Sequence, residues 1–378
     1  MRLSAVALVA PSALILFATF PRTDAHASGE GVDFGLRLEA GAEFDSNPTR
    51  REVIAGQPSE EVEVPSPAGR VALSADLAKR LGTRLQLSLA GGIAGRRMLR
   101  LEARGEDLAV SEGQGAFSYL SERWSATALG SVYDVDQRAY DIAQARDFRS
   151  LSAAARGAAQ IGQGRLHAGV GWRWFTFKPE AAFDFHGPIG SLGYRHTPRF
   201  TLDGRAEWEY GAQASLESRQ FAPLPCTDMN CTSPATKRRD RFFTIDADVT
   251  RTGDQLLGAG VALQRNDSVR FGETLTRLLA HVRLVALLPG ELSLAARAEL
   301  VATRYADPVP VGQVAQTNAF ITIEDEGRSS LRLDLSRVLL GRLEGGLRYT
   351  FYTQTPGSGP VRFIRHLGFA YLALSVGR

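Results

Sequence analysis

The sequence predicts an all-β fold: a closed antiparallel transmembrane β-barrel of about sixteen strands, within a range of about fourteen to eighteen, with both chain ends on the periplasmic side. Three observations predict it. Long segments alternate apolar and polar residues with period two, tight and long connections alternate between those segments, and an export signal precedes a chain that holds no later apolar helix.

The export signal comes first. Arg2 precedes an apolar stretch from Leu3 to Phe20, and a polar segment then ends in Ala25-His26-Ala27. That is the charged, apolar and small-x-small order of a cleavable signal peptide, and cleavage is expected after Ala27. The domain plan is therefore a signal peptide over 1–27 and a barrel over 28–378. No cysteine follows the apolar run directly, so a lipoprotein anchor is not expected. Beyond Ser28 the longest apolar candidate, Leu284 to Leu288, is broken at once by Pro289, Gly290 and Glu291, far short of a spanning helix.

The strands follow from periodicity. From Val32 to Asp45, Val32, Phe34, Leu36, Leu38, Ala40, Ala42 and Phe44 fall on one face, and Asp33, Arg37, Glu39, Glu43 and Asp45 on the other. A helix cannot sustain this pattern. Similar segments are read at Arg84–Ala94, Phe200–Ala212, Phe242–Arg251, Leu257–Gln264, Thr274–Leu288, Leu292–Tyr305, Ala319–Arg337 and Arg342–Thr353, with weaker alternation at Gly113–Ser121, Trp124–Val135 and Phe183–Tyr194. Soluble strands average about five or six residues, whereas these run to about ten or more, the length of a tilted strand crossing a bilayer. The apolar face then meets lipid, and Leu36, Leu87, Trp208 and Leu347 are expected there. Arg37, Gln86, Glu207 and Arg348 are expected to face water.

Tight connections at Leu81-Gly82-Thr83, Ser121-Glu122-Arg123, Gly162-Gln163-Gly164, His196-Thr197-Pro198, Thr252-Gly253-Asp254, Leu288-Pro289-Gly290 and Leu340-Gly341 are separated by longer polar segments. Among these are Ser46–Pro67, Leu99–Leu108, Leu216–Arg239 and Ala306–Thr317. Short periplasmic turns and long outer loops are the connectivity of an outer-membrane barrel. The barrel must close, because an open edge in lipid leaves backbone groups unpaired. Phe44, Trp174, Tyr210, Phe243 and Phe351 are expected near the outer loops and Trp124 and Phe200 near the turns, as two aromatic girdles.

Composition excludes more than it identifies. Hydrophobic residues make up 44% and charged residues 22%, and the net charge of +3 carries no basic tract for nucleic acid. The polar faces interleave both signs: Arg37 with Glu39, Arg205 with Glu207, Arg297 with Glu299, Arg332 with Asp334, and Arg348 with Glu344, together with Asp246 and Asp248. These are the candidate pore-lining residues, and they imply a hydrated passage with weak ion preference. The alternative is a lumen filled by mutually paired side chains. Cys226 and Cys231 lie in a proline-flanked outer loop and are expected to form a disulfide. No histidine stands near them in sequence, so no metal site is expected. Neither a Gly-x-Ser-x-Gly elbow, a His-Glu-x-x-His motif nor a phosphate-binding glycine loop occurs. His186 beside Asp184 is the sole local acid–base candidate, so neither catalysis nor a cofactor is expected.

The mature chain resembles bacterial outer-membrane porin-like barrels, and Gly41-Ala42-Glu43-Phe44-Asp45-Ser46-Asn47-Pro48 looks like the first strand and first loop of several of them. It departs from TonB-dependent receptors, because strand one follows the signal peptide directly and leaves no room for a plug. It also lacks an autotransporter passenger and a helical-repeat region like that of the poly-N-acetylglucosamine export porin. A stand-alone barrel is similar to the barrel components that partner periplasmic polysaccharide-export proteins. The resemblance implies a passive conduit, with polysaccharide export as its sharper form, outer-membrane lipid as its surroundings and a periplasmic export component as partner. The competing expectation is a surface-displayed barrel whose outer loops bind a partner.

Overall fold

The computed structural model describes residues 32–48, 53–54, 65–137, 147–178, 183–198, 207–221, 238–269, 274–306, 328–353 and 361–377. In chain order the strands are β1 (Val32–Asp45), β2 (Val53–Ile54), β3 (Ser66–Leu81), β4 (Leu85–Met98), β5 (Leu108–Leu120) and β6 (Trp124–Gln137). Then come β7 (Phe148–Ile161), β8 (Gly164–Phe177), β9 (Phe185–His196), β10 (Glu207–Phe221), β11 (Arg239–Thr252) and β12 (Gln255–Ser268). The last are β13 (Leu275–Leu288), β14 (Leu292–Tyr305), β15 (Ser329–Leu340), β16 (Leu343–Thr353), β17 (Val361–Arg362) and β18 (Ile364–Val376). A 3-10 helix at Leu101–Glu106 interrupts them once.

All but β2 and β17 form one closed barrel of sixteen strands, each paired with its neighbours in sequence, and β18 returns to β1. The closing ladder is antiparallel from Leu36 opposite Val376 to Asp45 opposite Leu367. Closure gives every spanning strand a hydrogen-bonding partner on both sides, as a hydrocarbon environment demands. Outside the barrel, β2 and β17 make a two-residue ladder that ties the loop after β1 to the loop after β16.

Direct cross-strand partners point to the same face, so one face can be followed around the barrel. Asp334 stands opposite Arg348, Arg348 opposite Phe369 and Phe369 opposite Glu43, on the same side as Glu39. This face is the concave one. Its side chains bond across an intervening strand: Arg348 on β16 reaches Glu39 on β1, Arg195 on β9 reaches Asp248 on β11, and His167 on β8 reaches Gln213 on β10. The opposite face presents Leu38, Ile93, Val170, Leu192, Ile245, Val261, Leu300 and Leu347 as exposed apolar side chains. A convex wall so continuously apolar belongs in lipid.

Turns set the registers. Gly290, at φ 79°, and Glu291, at φ 61°, take the left-handed region between β13 and β14, and Gly341 does the same in the two-residue turn between β15 and β16. The first residues of β1 and the last of β18 lie at this tight-turn end, with Val32 opposite Lys79 and Val376 opposite Leu36.

β1 and β14 have the bounds read from alternation. Several others differ. The segment read as Phe200–Ala212 is described only from Glu207, where β10 begins, and β10 runs through Leu216 to Phe221, so Leu216 belongs to the wall and not to a loop. Tyr210 consequently sits at the tight-turn end beside Trp208 and not near the outer loops; Phe200 lies outside the described residues. The segment read as Ala319–Arg337 is described from 328 and is strand from Ser329 to Leu340. The signal peptide and the Cys226–Cys231 loop also lie outside the described residues.

Single cysteines at Leu36, Leu87, Trp208 and Leu347 are expected to resist a water-soluble maleimide in reconstituted barrels, while those at Arg37, Gln86, Glu207 and Arg348 react. Equal labelling of the two sets contradicts the register.

Candidate functional site: the inner wall

The inner wall has three zones. Around the closing seam, side chains from β1, β15, β16 and β18 form one charged network. Arg348 donates to both Glu39 oxygens at 3.0 and 3.2 Å and to Asp334 at 2.6 Å. Arg37 donates to Glu344 at 2.9 Å, and the Tyr371 hydroxyl donates to Asp334 at 2.8 Å. The Arg348 guanidinium also lies 4.9 Å from the Tyr371 ring centroid. Every charge here is answered by a neighbour on the wall.

At mid-barrel, glycines act as seats for large side chains. His167, Asp248, Arg283, His281 and Tyr371 each stand directly opposite a glycine, respectively Gly193, Gly211, Gly258, Gly260 and Gly346. A β-carbon built on any of these glycines would collide with the facing side chain, as at Gly258 with Arg283 Nε at 2.5 Å and at Gly260 with His281 Cε1 at 2.5 Å. The long polar side chains therefore lie flat along the wall over the neighbouring strand and do not extend towards the barrel axis. Gly258→Val with Gly260→Val is expected to push Arg283 and His281 inward and lower single-channel conductance with the barrel still folded, because the displaced ends are flexible. Unchanged conductance in the folded variant contradicts the seating.

At the loop end the inner face turns aromatic. Ring centroids link Tyr133 to Phe148 at 5.7 Å, Phe148 to Phe175 at 5.3 Å, Phe175 to Phe185 at 4.8 Å and Phe185 to Phe221 at 5.3 Å. Arginines cover this arc. Arg219 lies 4.7 Å from the Phe185 ring and 4.1 Å from Phe242, and Arg238 lies 4.2 Å from Phe221. On the neighbouring arc the 3-10 helix folds inward: Ala103 packs on the inner residues Ala68 and Met98, and Gln137 donates to the Gly105 carbonyl at 3.2 Å and to Glu106 at 3.0 Å. The seam side is held by Asp45, wholly buried, which accepts from Arg365 at 3.0 and 2.5 Å and from Arg96 at 3.4 Å.

The registers place Arg37, Glu39, Glu207, Asp246, Asp248, Arg297, Glu299, Arg332, Asp334 and Arg348 on this one inner face. Arg205 lies outside the described residues. Arg297 pairs with Glu299 along its own strand at 3.1 Å, and Arg332 stands 3.8 Å from Asp334. His186 and Asp184 form no acid–base pair: His186 stacks on Trp172 on the outer wall at 5.8 Å, and Asp184 accepts the Phe177 amide at 2.6 Å. Sequence reading missed Arg365, Tyr371 and the whole of β18, whose inner face alternates Leu367, Phe369 and Ala373 with an equally apolar outer face.

A closed ladder, a polar inner wall and an apolar outer wall together leave one class. The chain has the fold of an outer-membrane β-barrel. No protein-family model matches it, and no curated protein matches it in sequence. Among solved structures it is similar to OccAB3 of Acinetobacter baumannii, at TM-score 0.47 and 9% identity over 92% of this chain and 99% of that one. It is also similar to a bacterial polysaccharide outer membrane secretin, at TM-score 0.44 and 9% identity over 92% and 99%. A third is OmpT of Vibrio cholerae, at TM-score 0.43 and 10% identity over 91% and 97%.

Proposed function

We propose that the barrel is a passive conduit for polar solutes, with a polysaccharide chain as its cargo, and that the residues on its inner face line the passage. The single observation that carries the conduit reading is the seating of large polar side chains over cross-strand glycines, which keeps them against the wall. A barrel of sixteen strands has the circumference to leave an aqueous channel. Because inner charges such as Arg348, Arg37 and Arg195 are met by carboxylates along the wall, the passage has weak ion preference. The aromatic arc at the loop end supports the sharper reading. A sugar ring offers an apolar C–H face and a hydroxyl rim, and half-buried rings such as Phe175, Phe221 and Phe242, interleaved with Arg219 and Arg238, offer the matching apolar faces and donors. In this reading the tight turns and both chain ends face the periplasm, where an export component would dock, and the long loops face outward.

Efflux from proteoliposomes tests both levels. Release of neutral linear oligosaccharides, slowed with increasing length and by Phe175→Ala with Phe221→Ala, is the expected result. Vesicles that retain even monosaccharides would reject the conduit, whereas passage of monosaccharides without oligosaccharides would reject the polysaccharide cargo alone.

A further inference from the structure

The outer wall is not symmetric between its two ends. At the loop end of β11–β14, Arg239, Arg241, Arg265 and Arg304 all point outward, and all four are exposed. Their spacing follows from the registers. Arg241 is opposite Asp267, Arg265 is opposite Thr276, and Thr276 is opposite Arg304. Strands lie about 4.8 Å apart, so Arg265 and Arg304, two strands apart, are separated by about 10 Å, with Arg241 on the diagonal from Arg265. Asp267 is the one outward acid among the described residues of this patch, and it pairs with Arg265 at 2.8 Å while both remain about 60% exposed. Arg241 and Arg304 make no ion pair with a described acid.

Directly below this basic row the wall is apolar and exposed, through Phe243, Ile245, Leu263, Leu278, Val282 and Leu300. The other cationic cluster at the same level is built differently. Lys178 bonds Asp134 and Asp136, and Arg149 bonds Asp134, so two cations meet two acids and cancel.

We propose that the loop-end outer wall of β11–β14 is a binding site for a phosphorylated glycolipid, whose phosphates meet Arg241, Arg265 and Arg304 while its acyl chains lie on the apolar stripe beneath. Charge complementarity selects this occupant. Several uncompensated guanidiniums beside hydrocarbon demand a ligand that is anionic at one level and apolar at the next, and guanidinium is the side chain best matched to phosphate. A glycolipid with two phosphates spans the separation between Arg265 and Arg304, which a single phospholipid headgroup does not. The site is independent of whether the lumen conducts.

The test titrates the folded barrel in detergent with diphosphoryl lipid A and reads the bound lipid by native mass spectrometry, with heat-modifiable migration on gels confirming that each variant is folded. Each basic residue near an anionic lipid surface is worth about fivefold in affinity, so Arg241→Gln, Arg265→Gln and Arg304→Gln together are expected to weaken binding about a hundredfold. Asp267→Asn is expected to tighten it. Arg149→Gln with Lys178→Gln is expected to leave it within about twofold, because that cluster is already neutral. Binding of diphosphoryl lipid A that the triple variant leaves unchanged overturns the site. Equal binding of phosphatidylglycerol with the same dependence on the three arginines overturns the glycolipid as its occupant.

Discussion

Replacing Arg365 by Ala is expected to destabilise the barrel by about 3–5 kcal/mol, because it strands a fully buried carboxylate. Asp45 has no solvent exposure and Arg365 is only 2% exposed, and the two are joined by a bidentate pair that spans the closing seam from β18 to β1. Arg96 at 3.4 Å and the Asn47 amide at 3.0 Å also bond this carboxylate, but neither replaces the second arm of the fork. The cost arises mainly from the uncompensated charge, so the double variant Asp45→Leu with Arg365→Leu is expected to recover most of it. Urea unfolding of barrels folded into phospholipid vesicles reads both variants. A loss under about 1 kcal/mol for Arg365→Ala would show that water reaches Asp45.

The second large effect concerns the outer wall. Val261 lies near the middle of β12, points outward and is 55% exposed. Val261→Arg therefore puts a guanidinium at the bilayer midplane, where the expected cost is about 2–4 kcal/mol. Gln114, near the middle of β5, belongs to the inner face, opposite Ser131 and Ala90. Gln114→Arg adds the same charge to a polar, hydrated wall and is expected to change stability by no more than about 0.5 kcal/mol. Equal costs for the two, read by the same unfolding measurement, would contradict the assignment of faces.

The parts of the fold that were legible in the sequence are those where the inner face is charged and the outer face apolar. β1 meets that condition along most of its length and β14 in its central part, with Arg297 and Glu299 inward and Ala296, Ala298 and Leu300 outward, and their bounds follow from alternation. β5, β6 and β9 do not. Their inner positions mix Val110, Leu129, Val135, Ile189 and Gly193 with polar residues such as Glu112 and Gln114, so the polar signature of the inner face is interrupted and the period is hidden. At the barrel mouth Val110 and Val135 pack with the aromatic arc, on the side that is charged elsewhere. β18 is obscured in the same way by Phe369 and Tyr371. The inner charges themselves were legible, because adjacent strand residues point to opposite faces. Their partners were not, since Arg348 meets Glu39 from 309 residues away and only closure brings them together. The glycine seats were equally hidden. A glycine in a strand reads as a weak position until the register shows which large side chain lies opposite it.

Single-channel recording in a planar lipid bilayer tests the central claim most directly. The purified barrel is expected to give discrete, ohmic conductance steps with a reversal potential near zero in a salt gradient, as a wide lumen whose wall carries charges of both signs requires. Insertion of folded barrels without any conductance steps would contradict the account, because it would mean that the inner side chains and loops fill the lumen.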